Sequence, residues 1–102
     1  MNNFGISEKT YLLLQKTFAE HTEVENVILF GSRAKGNYKK GSDIDLAVIM
    51  NTENADAVFD LAGIINEELP IPYHVDIIDY RRLSQPELRD HIQRVGVEFY
   101  RK

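Results

Sequence analysis

Three short runs of apolar residues divide this sequence, and they limit the folds that it can adopt. They cover residues 27–30, 43–50 and 73–79 and are rich in valine and isoleucine. Glycine, proline or polar residues border each run, a pattern typical of strands buried in a small sheet. Every run is far shorter than the ~20 apolar residues that a membrane span needs. The sequence therefore predicts short buried strands and no membrane partner.

The segments around these runs have apolar residues at helical spacing. They predict three helices, at about 8–20, 55–68 and 85–95. Ser7 is expected to cap the first helix, and Ser84, with Glu87 three residues later, the third. Residues 32–42 predict a loop with at most one helical turn, and residues 97–100 a last strand or a tail. This order indicates an α/β (α+β) fold, a mixed sheet with helices packed on it, in which the first two strands are parallel or antiparallel.

Length and composition narrow the class of protein. A chain of 102 residues with 43% hydrophobic residues predicts a single domain, 1–102, with a small core. The absence of cysteine excludes disulfides, thiolate metal sites and cysteine nucleophiles, and fits a cytoplasmic protein. The net charge of −4 and the lack of a long basic stripe argue against a partner of duplex nucleic acid.

Asp43 and Asp45 stand at the start of the second run. Residues i and i+2 of a strand point to the same face, so both carboxylates point the same way. Two like charges this close repel each other, and a hard divalent cation such as Mg²⁺ would relieve the repulsion. The plain alternative is that Asp43 caps a turn and Asp45 is a solvated strand end. An isolated Asp-X-Asp pattern does not decide between them.

Gly31 and Ser32 follow the first strand. Glycine has no Cβ, which lets the backbone come close to a ligand, and amides at the start of a helical turn bind anions. A plain turn is the alternative. Arg33 and Lys35 lie just beyond and are candidates for contact with the phosphates of a nucleotide. Because this turn and the two aspartates lie about a dozen residues apart on successive strands, they are expected to face one pocket.

Asp76 lies within the third run, between Val75 and Ile77. A carboxylate is costly to bury without a partner, so Asp76 is expected either at an exposed strand end or in a pair. Alternation places His74 and Asp76 on one face. A salt bridge with the pair Arg81-Arg82 is the structural alternative to a metal ligand.

The residues GSRAKG at 31–36, SDIDL at 42–46 and the strand aspartate Asp76 together resemble the minimal nucleotidyltransferases (MNT) of the DNA polymerase β superfamily. The resemblance implies the polymerase β-like fold and a set of roles. Asp43, Asp45 and Asp76 would be catalytic ligands of two Mg²⁺ ions, and Gly31 and Ser32 would bind the β- and γ-phosphates. Lys35 stands where many members have a second arginine, which keeps the charge but loses the two-pronged donor.

Members of this small size resemble the antitoxin half of two-gene modules whose partner is a helical HEPN-type ribonuclease. The resemblance therefore implies transfer of AMP from ATP to a tyrosine of that partner, in a hetero-oligomer. Two alternatives stay open. One is a non-catalytic scaffold that inhibits a helical partner by binding alone. The other is a nucleotidyltransferase for a small molecule or RNA whose acceptor domain is supplied by another chain.

Overall fold

Four strands form one sheet in the computed structural model, which describes residues 4–102. In chain order they are β1 (Val24–Phe30), β2 (Ile44–Met50), β3 (Val75–Asp79) and β4 (Val97–Arg101). Their order across the sheet is β3-β2-β1-β4. β1 is antiparallel to both β2 and β4, whereas β2 and β3 are parallel. The predicted mixed sheet is confirmed, and the direction of the first two strands is settled as antiparallel.

Residues 4–102 contain four α-helices: α1 (Glu8–Glu20) precedes β1, and α2 (Gly31–Lys35), α3 (Ala57–Glu68) and α4 (Pro86–Val95) connect successive strands. A short 3-10 turn, Tyr80–Arg82, follows β3. Ser7 caps α1 as predicted, because its hydroxyl accepts a hydrogen bond from the Thr10 amide. The cap predicted at Ser84 is wrong. Pro86 occupies the first turn of α4, where its fixed φ suits a helix start, so the cap position falls to Gln85.

The sheet is covered on both faces. On one face, α1 and α3 pack their buried leucine, isoleucine, valine and phenylalanine side chains on alternate residues of β1, β2 and β3. On the other face, Ile92 of α4 packs on Phe30 and Ala47. Alternation along β2 therefore places Asp45 on the same face as Ala47, beside α4. Within residues 4–102, no helix is long and apolar enough to cross a membrane.

Asn66 of α3 completes the open edge of β3. Its side-chain amide donates to the Val75 carbonyl at 2.8 Å, and its oxygen accepts from the Val75 amide at 2.9 Å. The Ile44 amide donates to the His74 carbonyl, so the Val75 groups face away from β2. Asn66 thus takes the place of a neighbouring strand at the residue next to Asp76.

Replacing Asn66 by alanine is expected to lower the free energy of unfolding by about 2 kcal/mol, because two partly buried backbone groups lose their partner. Urea unfolding followed by circular dichroism measures the change. Glu67→Ala, on the adjacent exposed residue of the same helix, is the control and should change stability by less than about 0.5 kcal/mol. Equal effects of the two substitutions would contradict the role given to Asn66.

Candidate active site

The pairing of three strands brings the predicted site residues to one end of the sheet. Because β1 and β2 are antiparallel, the end of β1 at Phe30 pairs with Asp45, at the start of β2. Because β2 and β3 are parallel, Asp45 also pairs with Asp76. Paired residues on neighbouring strands point to the same face of a sheet. Asp43 lies two residues before Asp45, ahead of the strand, with its side chain exposed.

Gly31 is in direct contact with Asp45. Its φ of 76° lies in the left-handed region that favours glycine. A Cβ at this position would overlap the Oδ2 atom of Asp45 and would lie only 3.1 Å from its Cγ. The turn that begins α2 therefore meets the carboxylate with no space between them for a side chain. Ser32, the next residue, is half-buried in the same turn.

Burial and the neighbouring charged groups of the site shift the pKa of Asp45. Burial raises the pKa of its carboxyl group, and the negative charges of Asp76 and then Asp43 raise it further. His74 and Arg33 lower the pKa of Asp45 by smaller amounts. Asp43 and Asp76 are therefore close enough to repel the charge of Asp45, which is the one of the three that is partly buried. This set of hard oxygen donors suits a divalent cation such as Mg²⁺.

The side chains do not form a closed metal cage. Among residues 4–102, no group of three or more histidine, aspartate or glutamate side chains is gathered closely enough to hold a metal ion. Asp43 and Asp76 are both exposed, so their side chains are free to turn towards Asp45 when a cation offsets the repulsion. The donor set thus fits a metal in its chemistry and needs side-chain rotation to bind it.

The predicted salt-bridge alternative for Asp76 is not what the structure shows. Arg82 pairs instead with Asp79 at 3.2 Å, and Arg81 pairs with Glu53 at 3.5 Å. Asp79 also accepts a hydrogen bond from the Arg81 amide and so begins the 3-10 turn. Both arginines are therefore engaged beyond the far end of β3, and Asp76 stands exposed at its near end.

Arg33 does not occupy the position expected of a phosphate ligand. The side chain is buried, with only 2% of the residue exposed, and its guanidinium donates to the carbonyls of Ser42 and Phe4. The rings of Tyr38 and Tyr73 lie against this guanidinium. Lys35 is exposed, at the end of α2 away from Gly31. The sequence did not indicate the contact with Phe4, because Arg33 binds its backbone carbonyl, which every residue has.

The candidate site lies at one end of the sheet, where Asp43 and Asp76 are exposed. A cavity of about 110 Å³ lies at the opposite end of β2, between Met50, Asp79 and the two arginines that follow it. The two carboxylates that line it, Glu53 and Asp79, are paired with the two arginines. The cluster of Asp43, Asp45 and Asp76 at the start of β2 therefore remains the candidate site.

Comparison with known proteins shows the family of this chain. The family model described as "Polymerase beta, Nucleotidyltransferase" matches residues 13–102. The chain belongs to the polymerase β nucleotidyltransferase family. A curated member, the "Probable protein adenylyltransferase MntA" of Haemophilus influenzae (strain ATCC 51907 / DSM 11121 / KW20 / Rd), is 33% identical over 90 residues, which cover 88% of this chain and 75% of that protein.

Several solved structures share the fold. One, described as "Crystal structure of the toxin-antitoxin with AMP-PNP", superposes with a TM-score of 0.70 at 23% identity, over 94% of this chain and 75% of that one. Another is a complex of a tri-AMPylated Shewanella oneidensis HEPN toxin with an MNT antitoxin, with a TM-score of 0.66 at 22% identity, over 93% and 72% of the two chains. The predicted polymerase β-like fold is confirmed.

The raised pKa of Asp45 predicts how stability depends on pH without metal. A carboxyl group whose pKa is higher in the folded than in the unfolded chain favours the folded state at low pH. That contribution is lost as pH rises from the ordinary value of 3.8 through the folded pKa. An Asp45→Asn variant is therefore expected to be more stable than the wild type at pH 7 in EDTA. The difference should shrink as the pH falls towards 3.8. Urea titrations at several pH values measure it, and a variant that is less stable at pH 7 would contradict the repulsion.

Proposed function

We propose that this nucleotidyltransferase transfers AMP from ATP, with Mg²⁺, to a tyrosine hydroxyl of a helical HEPN-type partner protein. The observation that carries the proposal is the strand register, which brings Gly31, Asp45 and Asp76 to one end of the sheet. In this reaction the tyrosine oxygen bonds to the α-phosphorus of ATP. The bond from that phosphorus to the bridging oxygen breaks, and pyrophosphate leaves.

Each site residue has a role in this proposal. Asp43 and Asp45 hold two Mg²⁺ ions, and Asp76 ligates one of them and accepts the proton of the tyrosine hydroxyl. Gly31 and Ser32 bind the β- and γ-phosphates through the turn that touches Asp45. Paired metal ions in such sites stabilise the charge on the attacking and leaving oxygens. Because positioning and charge neutralisation supply most of the rate in phosphoryl-type transfer, the reaction needs no nucleophilic side chain from this chain.

The partner is inferred from relatives and from the exposure of the site. The relative at 33% identity is named a protein adenylyltransferase, and the solved complexes include an AMPylated HEPN toxin bound to an MNT antitoxin. Asp43 and Asp76 are exposed at one end of the sheet, where a side chain of a partner protein can reach them. A protein acceptor would supply the surface that the chain lacks around Asp43 and Asp76, both of which are exposed.

The test uses the chain, α-³²P-labelled ATP, Mg²⁺ and the helical protein encoded next to it. Label is expected on a tyrosine of that partner, and it should disappear with EDTA or with Asp43→Ala and Asp45→Ala combined. CTP, GTP and UTP, each labelled in the same way, test the preference for ATP. Absence of transfer from any of the four, with inhibition of the partner unchanged by the double substitution, would instead show a non-catalytic scaffold. Label on RNA or a small molecule in place of the partner would exclude the protein acceptor.

A further inference from the structure

A buried arginine lies behind the carboxylates and contacts the segments that carry two of them. Arg33 is only 2% exposed, although arginine is among the residues least often buried. We propose that Arg33 is a positioning residue: its guanidinium ties the segment before Asp43 to the segment before Asp76. This inference deepens the proposed function, on which it rests, because it concerns the geometry of that same metal site.

The first contact sets the peptide group that leads into Asp43. Arg33 donates to the carbonyl oxygen of Ser42 twice, from Nε at 3.2 Å and from Nη2 at 2.7 Å. That carbonyl belongs to the peptide bond between Ser42 and Asp43. Two donors on one edge of a rigid, planar guanidinium restrain both the position and the orientation of the acceptor. Arg33 therefore limits where the backbone can present the Asp43 carboxylate.

The second contact reaches the segment before Asp76. The Cζ atom of Arg33 lies 5.0 Å from the centre of the Tyr38 ring and 5.1 Å from that of Tyr73. A guanidinium this close to an aromatic face is attracted by the ring, more strongly when water is excluded. Tyr73 directly precedes His74, whose carbonyl accepts the amide hydrogen bond of Ile44 at the start of β2. The same guanidinium thus holds the chain on both sides of the site.

The start of the chain covers this cluster. The Nη1 atom of Arg33 donates to the Phe4 carbonyl at 2.8 Å, and the Ser7 amide donates to the Tyr73 hydroxyl at 3.2 Å. Gly5, with a φ of 70°, lies so close to the Tyr38 ring that a side chain would overlap it. This cover keeps solvent from the guanidinium and strengthens its hydrogen bonds and ring contacts.

Arg89 offers a matched control elsewhere in the chain. It donates to the carbonyls of Tyr80 and Leu83 at 3.3 and 3.0 Å, and its Cζ lies 4.8 Å from the centre of the Tyr80 ring. Like Arg33, it contacts two backbone carbonyls and a tyrosine ring, but both of its hydrogen bonds come from Nη2 and its partners follow the far end of β3. Replacing each arginine by lysine keeps the charge and removes the planar guanidinium in both places, but only at Arg33 does it remove two donors to one carbonyl.

The experiment measures Mn²⁺ binding to the full chain by electron paramagnetic resonance, and amide hydrogen exchange of residues 38–43 without metal. In Arg33→Lys we expect Mn²⁺ affinity to fall about 10-fold or more, because residues that orient metal ligands typically contribute this much. Exchange over 38–43 should become faster. Arg89→Lys should leave both within about 2-fold of the wild type, apart from a general loss of stability that urea unfolding records separately.

Tyr38→Leu is the second variant, for the case in which Arg33→Lys does not fold. It removes one ring and keeps every hydrogen bond of the guanidinium, and it should weaken Mn²⁺ binding in the same direction. Unchanged Mn²⁺ affinity in a folded variant, or an equal loss in Arg89→Lys, would overturn the positioning role. Neither Mn²⁺ binding nor hydrogen exchange requires an acceptor protein or catalytic turnover. If the wild-type chain bound Mn²⁺ but transferred no AMP, the proposed function would be refuted and the positioning role of Arg33 would still stand.

Discussion

An Asp45→Asn variant is expected to lose AMP transfer by at least about 10³-fold while remaining folded. Asp45 is the only one of the three carboxylates that pairs with both neighbouring strands and touches the Gly31 turn. An amide keeps the shape of the side chain and removes the negative charge. A metal ion held by Asp45 would supply several kcal/mol of transition-state stabilisation. Because each 1.36 kcal/mol changes the rate about tenfold, its loss accounts for the expected decrease. Initial rates of label transfer at saturating ATP measure the loss.

Asp79→Asn is the matched control, because Asp79 is a strand aspartate as Asp45 is, but it lies in β3, pairs with Arg82 and begins the 3-10 turn. It should reduce transfer by less than about 5-fold, which corresponds to about 1 kcal/mol of indirect effect. Because removing the Asp45 charge also relieves repulsion, the inactive variant is expected to be the more stable one in EDTA at pH 7. Activity within tenfold of the wild type in Asp45→Asn would exclude Asp45 as a metal ligand.

Gly31→Ala is expected to lower AMP transfer by about 10²-fold or more, through a different route. The new Cβ would overlap the Asp45 carboxylate, which must rotate away from the position that it takes in the wild type. Displacing a reacting group by about 1 Å can cost this much in rate. Because the obstacle is the end of a flexible side chain and not the backbone, the fold should survive. The left-handed φ adds a cost of about 1–2 kcal/mol in stability.

Gly36→Ala separates the two effects. Gly36 ends α2 with a φ of 85°, so alanine there meets the same backbone strain, but its Cβ would meet nothing within 4 Å. Both alanine variants should therefore lose about 1–2 kcal/mol in urea unfolding. Only Gly31→Ala should lose transfer beyond what the unfolded fraction explains. Equal losses of activity would mean that backbone strain, and not the contact with Asp45, limits the reaction.

Local patterns were sufficient for most of the fold. The helix predicted over 8–20 is α1, Glu8–Glu20, and the last segment of uncertain structure is the strand β4. Each pattern reports only which side of a segment meets the core. Such patterns do not predict strand direction. A connection of about a dozen residues allows parallel or antiparallel strands, and the choice depends on which strands flank the pair. The predicted cap at Ser84 was wrong by one residue, because α4 begins at Pro86 and the cap is therefore Gln85.

Arg33 shows the limit of the same reasoning for the site. Its place two residues after Gly31 suggested a phosphate contact, yet the structure buries it among Phe4, Tyr38 and Tyr73. Those residues come from separate parts of the sequence. Nothing in the spacing around Arg33 indicates that they would meet, because burial depends on the packing of segments distant in the chain.

The sequence by itself determined the chemistry available: a glycine turn after one strand, two aspartates at the start of the next, and a third in an apolar run. The tertiary structure decided that these groups meet. Strand pairing places Asp45 beside both Phe30 and Asp76, and the absence of a side chain at Gly31 allows the turn to touch the carboxylate. A slip of one residue in either pairing would send an aspartate to the opposite face. Register therefore decides the site, and register is set by the packing of the whole sheet.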